Sequence, residues 1–253
     1  MLLVADVGNS HTVLGLWDGE TLRAHWRIVS TDRTEDELRI LLTMLLQQEG
    51  LTPKSVDGCC ISSVVPPLNH AFMQVSHEGF GVEPLMVGPG IRTGLVIQVD
   101  NPKEVGADRI VNSVAAIEGY GGPLIVVDFG TATTFDAISE KAEYRGGIIF
   151  PGIQISADAL FEKCAKLPRV EIATPSTVIG RDTVSHIRSG LTYGYADLVD
   201  GLIGRMAEEM QATPKVIATG GLAAVIAEVA RRISVVDPLL TLKGLKLVYE
   251  KNT

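Results

Sequence analysis

Two acids stand at matching corners of the chain. Asp6 closes "LLVADVG" and Asp128 closes "LIVVDFG", so each ends an apolar run, is followed by a glycine two residues on, and leads into small hydroxyl residues. A turn of that kind sets a carboxylate beside backbone N–H groups able to cradle phosphate oxygens, and the glycine lets the backbone come close. The carboxylate would repel a phosphate, but it can hold Mg2+, directly or through water, and the ion then neutralises the phosphates. A single Asp-x-Gly is common in ordinary turns. Two of them, one per half, read as facing turns that bracket a triphosphate. A third acid, Asp108 in "VGADRIVNS", falls in the first turn of a helix. It either caps that helix by accepting backbone N–H bonds or takes the proton of an alcohol, with Arg109 beside it suited to planar recognition of carboxylate or phosphate.

Other polar residues divide between chemistry and scaffold. Gly220-Gly221 in "KVIATGGLAA" allows either backbone approach by a nucleotide's ring or ribose, or a plain structural turn. Thr131, Thr133 and Thr134 suit an alternating strand as β-formers, and only the turn context favours Thr131 for a ligand. His11 reads as a surface or hydrogen-bonded histidine, Asp18 and Asp136 as turn or solvated acids, and Arg181 and Arg188 as solvated or paired cations. A net charge of -8 and a pI near 5.2 argue against nucleic acid and anionic membranes as partners. No apolar run reaches the length of a membrane span, and the acid at position 6 argues against a signal peptide. Cys59, Cys60 and Cys164 lack metal-ligand spacing and suit a reduced, cytoplasmic protein; the five histidines form no zinc signature.

The elements that must hold these acids repeat. "LLVADVGNSHTVLGL" (residues 2–16) aligns without a gap on "LIVVDFGTATTFDAI" (residues 124–138), matching Leu2, Val4, Asp6, Gly8 and Thr12 to Leu124, Val126, Asp128, Gly130 and Thr134. Each copy predicts a three-strand meander followed by alternating helix and strand. Asp18-Gly19 predicts the first hairpin. The stretch after Thr34 predicts a helix with a Thr34/Glu37 capping box, a leucine face and a stop at Gly50. Helices follow to about Glu78, over "ADRIVNSVAAIEGY", and near 151–165, 181–212, 221–231 and 238–250, with further strands at "GCCISSVV", "EPLMVG" and "KVIATG". The "GYGG" around Tyr120 marks the boundary between domains 1–119 and 120–253.

Taken together, "DVGNSHT", "GADR", "VVDFGTATTFD", "GGIIFPG", "IGRDT", "SGLTYGYADLVDG" and "ATGGLA" resemble the type III pantothenate kinases in order and over essentially the whole chain. The resemblance implies an α/β fold of two tandem ribonuclease-H-like domains, the actin-like ATPase fold, facing across a cleft. It implies ATP-dependent phosphorylation of pantothenate to 4′-phosphopantothenate, the first step towards coenzyme A. Carried onto matching positions, Asp6, Val7, Gly8, Asn9, Ser10, His11, Thr12 and Val13 line the ATP phosphates, and Thr131 contacts ATP. Asp108 is the proton acceptor; Gly106, Ala107 and Arg109 complete the pantothenate site, and Thr183 contacts the same substrate. Asp128 matches the ligand of a monovalent cation, K+ or NH4+, while Asp6 is the candidate for Mg2+. The resemblance also implies a homodimer formed with help from the "SGLTYGYADLVDGLIGRM" helix. Val99 departs from the family, whose members often carry a substrate-touching tyrosine before "DNP". Two alternatives stay open: another small-molecule kinase of the same superfamily, or a non-catalytic regulator on the same fold.

Overall fold

Strands that carry apolar residues on both faces belong in the middle of a covered sheet, and both acid-bearing strands do. The computed structural model describes all 253 residues and divides into two units. The first comprises Met1–Gly94, Asn101–Ala115 and Thr241–Thr253; the second comprises Leu95–Asp100 and Ala116–Leu240.

In the first unit β1 (Leu2–Val7), β2 (His11–Asp18) and β3 (Thr21–Val29) form the expected antiparallel meander. The hairpin between β2 and β3 turns on Gly19 and Glu20, one residue later than expected, because Asp18 still pairs with Thr21 and Gly19 takes the positive φ. Helix α1 (Glu35–Gln48) starts on the Thr34/Glu37 capping box and buries Leu38, Leu42 and Leu46. It stops where Gly50 turns left-handed, at φ +73°. β4 (Gly58–Ser63) lies parallel to β1, α2 (Pro66–Gln74) runs on through a wider π-type turn at Val75–Phe80, and β5 (Leu85–Met86) completes the order β3-β2-β1-β4-β5. Leu3, Ala5, Val7, Leu14, Leu16 and Ile61 pack with the α1 leucines and Phe72 into one core. Cys59 and Cys60 are buried free thiols, and burial pushes Cys59 up to about 12.

The second unit includes β6 (Val96–Ile97) and the last five residues of α3 (Ala107–Tyr120). Its meander is β7 (Leu124–Phe129), β8 (Ala132–Ile138) and β9 (Glu143–Pro151), followed by α4 (Ile153–Lys163), α5 (Thr183–Met210), β10 (Lys215–Thr219), the short α6 (Ala223–Ala227) and β11 (Val235–Val236). The sheet order β11-β10-β7-β8-β9 repeats that of the first unit, with β6 added beyond β9. Ile125, Val127, Phe129 and Phe135 meet Leu191, Tyr195, Val199 and Ile203 of α5, so the apolar stripe of that long helix is core. Thus the fold is α/β with two similar mixed sheets.

Three expectations need correction. The ungapped alignment of the copies slips by one residue after the first turn. Asp6 pairs with Val13 but Asp128 pairs with Thr134, so the counterpart of Thr12 is Thr133, and both are buried. The burial patterns of β2 and β8 then coincide along seven positions, because the first turn is one residue longer. Asp136 is no solvated acid: it is 0% exposed at the place Gly15 holds in the first copy, and Tyr144 donates its hydroxyl to Oδ1 at 2.7 Å. Finally, the packing does not divide at residues 119 and 120. From Thr241 onward, α7 (Leu240–Glu250) belongs to the first unit, and Leu95–Asp100 belongs to the second through the pairing of β6 with β9. The reason is side-chain fit: Leu242 fills the space left by Gly15, Gly244 lies against the Val111 carbonyl of α3, and Lys246 pairs with Glu20 at 2.9 Å.

A Cβ at Gly244 would overlap the Val111 carbonyl. Gly244→Ala should therefore destabilise the protein by roughly 1–3 kcal/mol, despite the ~1 kcal/mol that alanine gains in helix propensity. A urea midpoint equal to that of the unaltered protein would show that α7 does not pack as described.

Candidate active site

The first acidic corner is built by the end of β1. Asp6 is half-buried, Val7 is in the core, and the Gly8 amide donates to the His11 carbonyl at 3.1 Å to close the turn. Asn9 and Ser10 are exposed at its tip. Thr12 is buried and its hydroxyl is within 2.9 Å of that of Ser30, so Val7 and Thr12 could meet a ligand only through main chain. Val13 is half-buried directly across from Asp6. His11 is hydrogen-bonded rather than merely superficial: its Nδ1 lies 2.9 Å from a guanidinium nitrogen of Arg27. Burial, and secondarily the Arg27 charge, hold its pKa below the usual histidine range.

The second corner is built the same way at the end of β7. Asp128 and Thr131 are half-buried, and Gly130 is exposed. Two glycines explain how the chain crowds here. Gly220 has φ +92°, and a Cβ on it would lie 2.5 Å from Asp128 Oδ1. Gly152, which precedes α4, lies against the carbonyls of Gly130 and Thr131 with no room for a side chain. The structural-turn reading of Gly220 is therefore sufficient. Gly152 is a member of the corner that pattern alone does not single out; its signal was its place in "GGIIFPG".

Asp108 belongs to the first unit, as do Asp6 and the residues Gly106, Ala107 and Arg109. Its Oδ1 accepts the Arg109 backbone N–H at 2.9 Å, so it does satisfy a helix-end donor. Gly106 permits that pose, since a Cβ there would stand 2.5 Å from the same oxygen. The side chain is nonetheless unusual for a cap. Burial raises its pKa above the ordinary aspartate value, and the Arg109 amide and guanidinium only partly offset this. A base with a raised pKa accepts a proton more readily, which the capping role does not require. Thr183 lies in the second unit, exposed at the first position of α5, behind Asp182, which accepts the Ser185 amide at 2.9 Å. Arg188 donates to the Glu171 carbonyl at 3.0 Å rather than to an acid.

Strand register brings in residues that spacing did not reveal. Directly opposed residues share a face, so the first corner carries the row Ser62, Asp6, Val13, Arg27 and the second carries Thr219, Asp128, Thr134, Ile149. A buried hydroxyl thus neighbours each acid, and that of Ser62 has no hydrogen-bond partner. No group of three or more His, Cys, Asp or Glu side chains could hold a metal ion by itself. One carboxylate with a neighbouring hydroxyl fits Mg2+ that takes its remaining ligands from phosphates and water.

Comparison with known proteins decides the family. Residues 2–205 match the sequence profile of the type III pantothenate kinases. A protein named type III pantothenate kinase from Anaeromyxobacter sp. (strain Fw109-5) is 58% identical over 253 residues, which is 100% of each chain. The chain belongs to the type III pantothenate kinase family. It is accordingly a kinase. Solved structures agree on the fold alone. Component A of (R)-2-hydroxyglutaryl-CoA dehydratase from Acidaminococcus fermentans superposes with a TM-score of 0.57 at 15% identity, over 99% of this chain and 96% of the other. The ROK hexokinase from Thermus thermophilus gives a TM-score of 0.53 at 11% identity, over 98% of each. Both share their overall fold with this chain.

The raised pKa of Asp108 has a consequence for stability. The native state binds this proton more tightly than the unfolded chain does, so stability falls as pH rises from the ordinary aspartate value through the raised native one. Above that window the charged form carries a constant penalty, and Asp108→Asn removes it. The variant should melt at a higher temperature than the unaltered protein at neutral pH, with the gap closing in acid. A lower melting temperature for the variant at neutral pH would contradict the burial of this charge.

Proposed function

We propose that this chain transfers the terminal phosphoryl group of ATP to the primary hydroxyl of pantothenate, giving 4′-phosphopantothenate and ADP. The observation that carries the mechanism is Asp108: a half-buried carboxyl posed by Gly106 with its proton affinity raised. In this reading Asp108 accepts the hydroxyl proton as the pantothenate oxygen attacks the terminal phosphorus, and the bond to the bridging oxygen of ADP breaks. Gly106, Ala107 and Arg109 shape the acceptor site, with Thr183 as a further contact. The turn from Asp6 to Val13 takes the ATP phosphates, through main-chain groups at Val7 and Thr12 and through side chains at Asn9, Ser10 and His11. Thr131 contacts ATP from the second corner.

Mg2+ would be held by Asp6, directly or through water, and a monovalent cation, K+ or NH4+, by Asp128. When bound, these ions supply neutralisation of phosphate charge. The chain's own part is to fix the carboxylates at the ends of paired strands. A homodimer is supported by apolar side chains left in the open around the start of α5, among them Ile179 at 84% exposure and Val178. A cytoplasmic location is supported by the free thiols. No helix is long and apolar enough to cross a membrane.

The direct test is mass-spectrometric detection of phosphorylated pantothenate from pantothenate and ATP, with and without K+. ADP release with glucose or acetate but not pantothenate would overturn the substrate assignment. Asp108→Asn should lower kcat by roughly 10²–10⁴-fold while leaving binding of a non-hydrolysable ATP analogue intact. A fully active variant would remove Asp108 from proton transfer. In the unaltered enzyme kcat/KM should fall as pH drops through the Asp108 pKa, at a midpoint above that of an ordinary aspartate. Asp128→Ala should raise the K+ concentration needed for half-activation more than it raises KM for pantothenate; equal effects would count against a cation at this corner.

A further inference from the structure

The geometry points to Arg27, oriented by His11, as a residue that binds the phosphate chain of the nucleotide at the first corner. This rests on the reading that the Asp6 turn receives ATP phosphates. Three observations carry it. Arg27 pairs across β3 and β2 with Val13, which pairs across β2 and β1 with Asp6, so Arg27 and Asp6 share one face of the sheet. Two strand spacings separate their backbones, ~10 Å, a gap that a long side chain reaching towards an anion beside Asp6 can span.

Arg27 is exposed and no carboxylate pairs with it, in a chain with 30 acids against 22 lysines and arginines. What holds it is the hydrogen bond to His11 Nδ1 at 2.9 Å. A guanidinium can only donate, so Nδ1 must accept and the ring must carry its proton on Nε2. The pair therefore offers an anion the remaining guanidinium N–H groups.

The duplicated fold supplies a control. The position of Arg27 is held in the second copy by Ile149, which is 67% exposed and apolar. The two corners thus share an acid and a neighbouring hydroxyl, but only the first carries a cation in that row.

An arginine that merely guarded the outer strand β3 against association would leave nucleotide affinity untouched, and this separates the two roles. Binding of a non-hydrolysable ATP analogue with Mg2+, and of adenosine, is to be measured calorimetrically for the unaltered protein, Arg27→Met, Arg27→Lys and Asp6→Asn. Loss of one charge-assisted phosphate contact corresponds to roughly 10–100-fold weaker binding. We expect that loss for the ATP analogue with Arg27→Met, an unchanged affinity for adenosine, and partial recovery with Arg27→Lys, which keeps the charge but not the planar fork. If Arg27→Met binds the analogue as tightly as the unaltered protein while Asp6→Asn does not, the role of Arg27 is overturned and the phosphate corner stands. If the unaltered protein binds no nucleotide, both fall. Arg27 lies on the surface, so thermal melting should be the same for both Arg27 variants; His11→Asn, which leaves the guanidinium in place, should weaken the analogue less than Arg27→Met.

Discussion

The structure depends on one constraint: a carboxylate must sit at the end of a strand that is hydrogen-bonded on both sides. β1 lies between β2 and β4, and β7 between β8 and β10, so neither Asp6 nor Asp128 can shift without breaking a ladder. An acid on a free loop would pay conformational entropy whenever it bound a cation. Here the ordering is already present in the folded sheet, and the apolar runs before each acid are what holds it there. The oily "LIVV" before Asp128 is thus the anchor of a polar site.

Glycine makes the surroundings of each acid close enough to matter. Gly106 lets Asp108 fold back on its own turn, Gly152 lets the start of α4 touch the second corner, and Gly220 lets the chain after β10 pass against Asp128. A methyl group would overlap main chain at Gly152 and Gly220, and at Gly106 it would displace the Asp108 carboxylate. The same crowding that fixes Asp108 also raises its pKa, so the fold tolerates a less stable charge at that residue.

Duplication explains the resemblance of the corners, and divergence explains their difference. A one-residue change in turn length shifts every later residue of β8 against its counterpart in β2, yet the inward and outward alternation is kept because the pairing shifts with it. Where the first copy has Gly15 under Leu242 of α7, the second has the buried Asp136 with Tyr144. Where the first has Arg27, the second has Ile149. One scaffold has been given two sets of side chains.

Much of this was legible in the residues themselves. The repeated Asp-x-Gly turns, the capping box at Thr34 and the strand and helix periodicities are local features, governed by backbone preference and by the 2.0 and 3.6 periods of side-chain direction. The family followed from motif order. What local pattern could not settle was partnership across long sequence separations. Only the folded chain determined that the last helix packs with the first unit, that Thr12 corresponds to Thr133, that Asp136 is buried, and that Ser62 and Arg27 lie in one row with Asp6. Those outcomes depend on which strand pairs with which and on where a missing side chain leaves room, and neither is written in any single stretch of sequence.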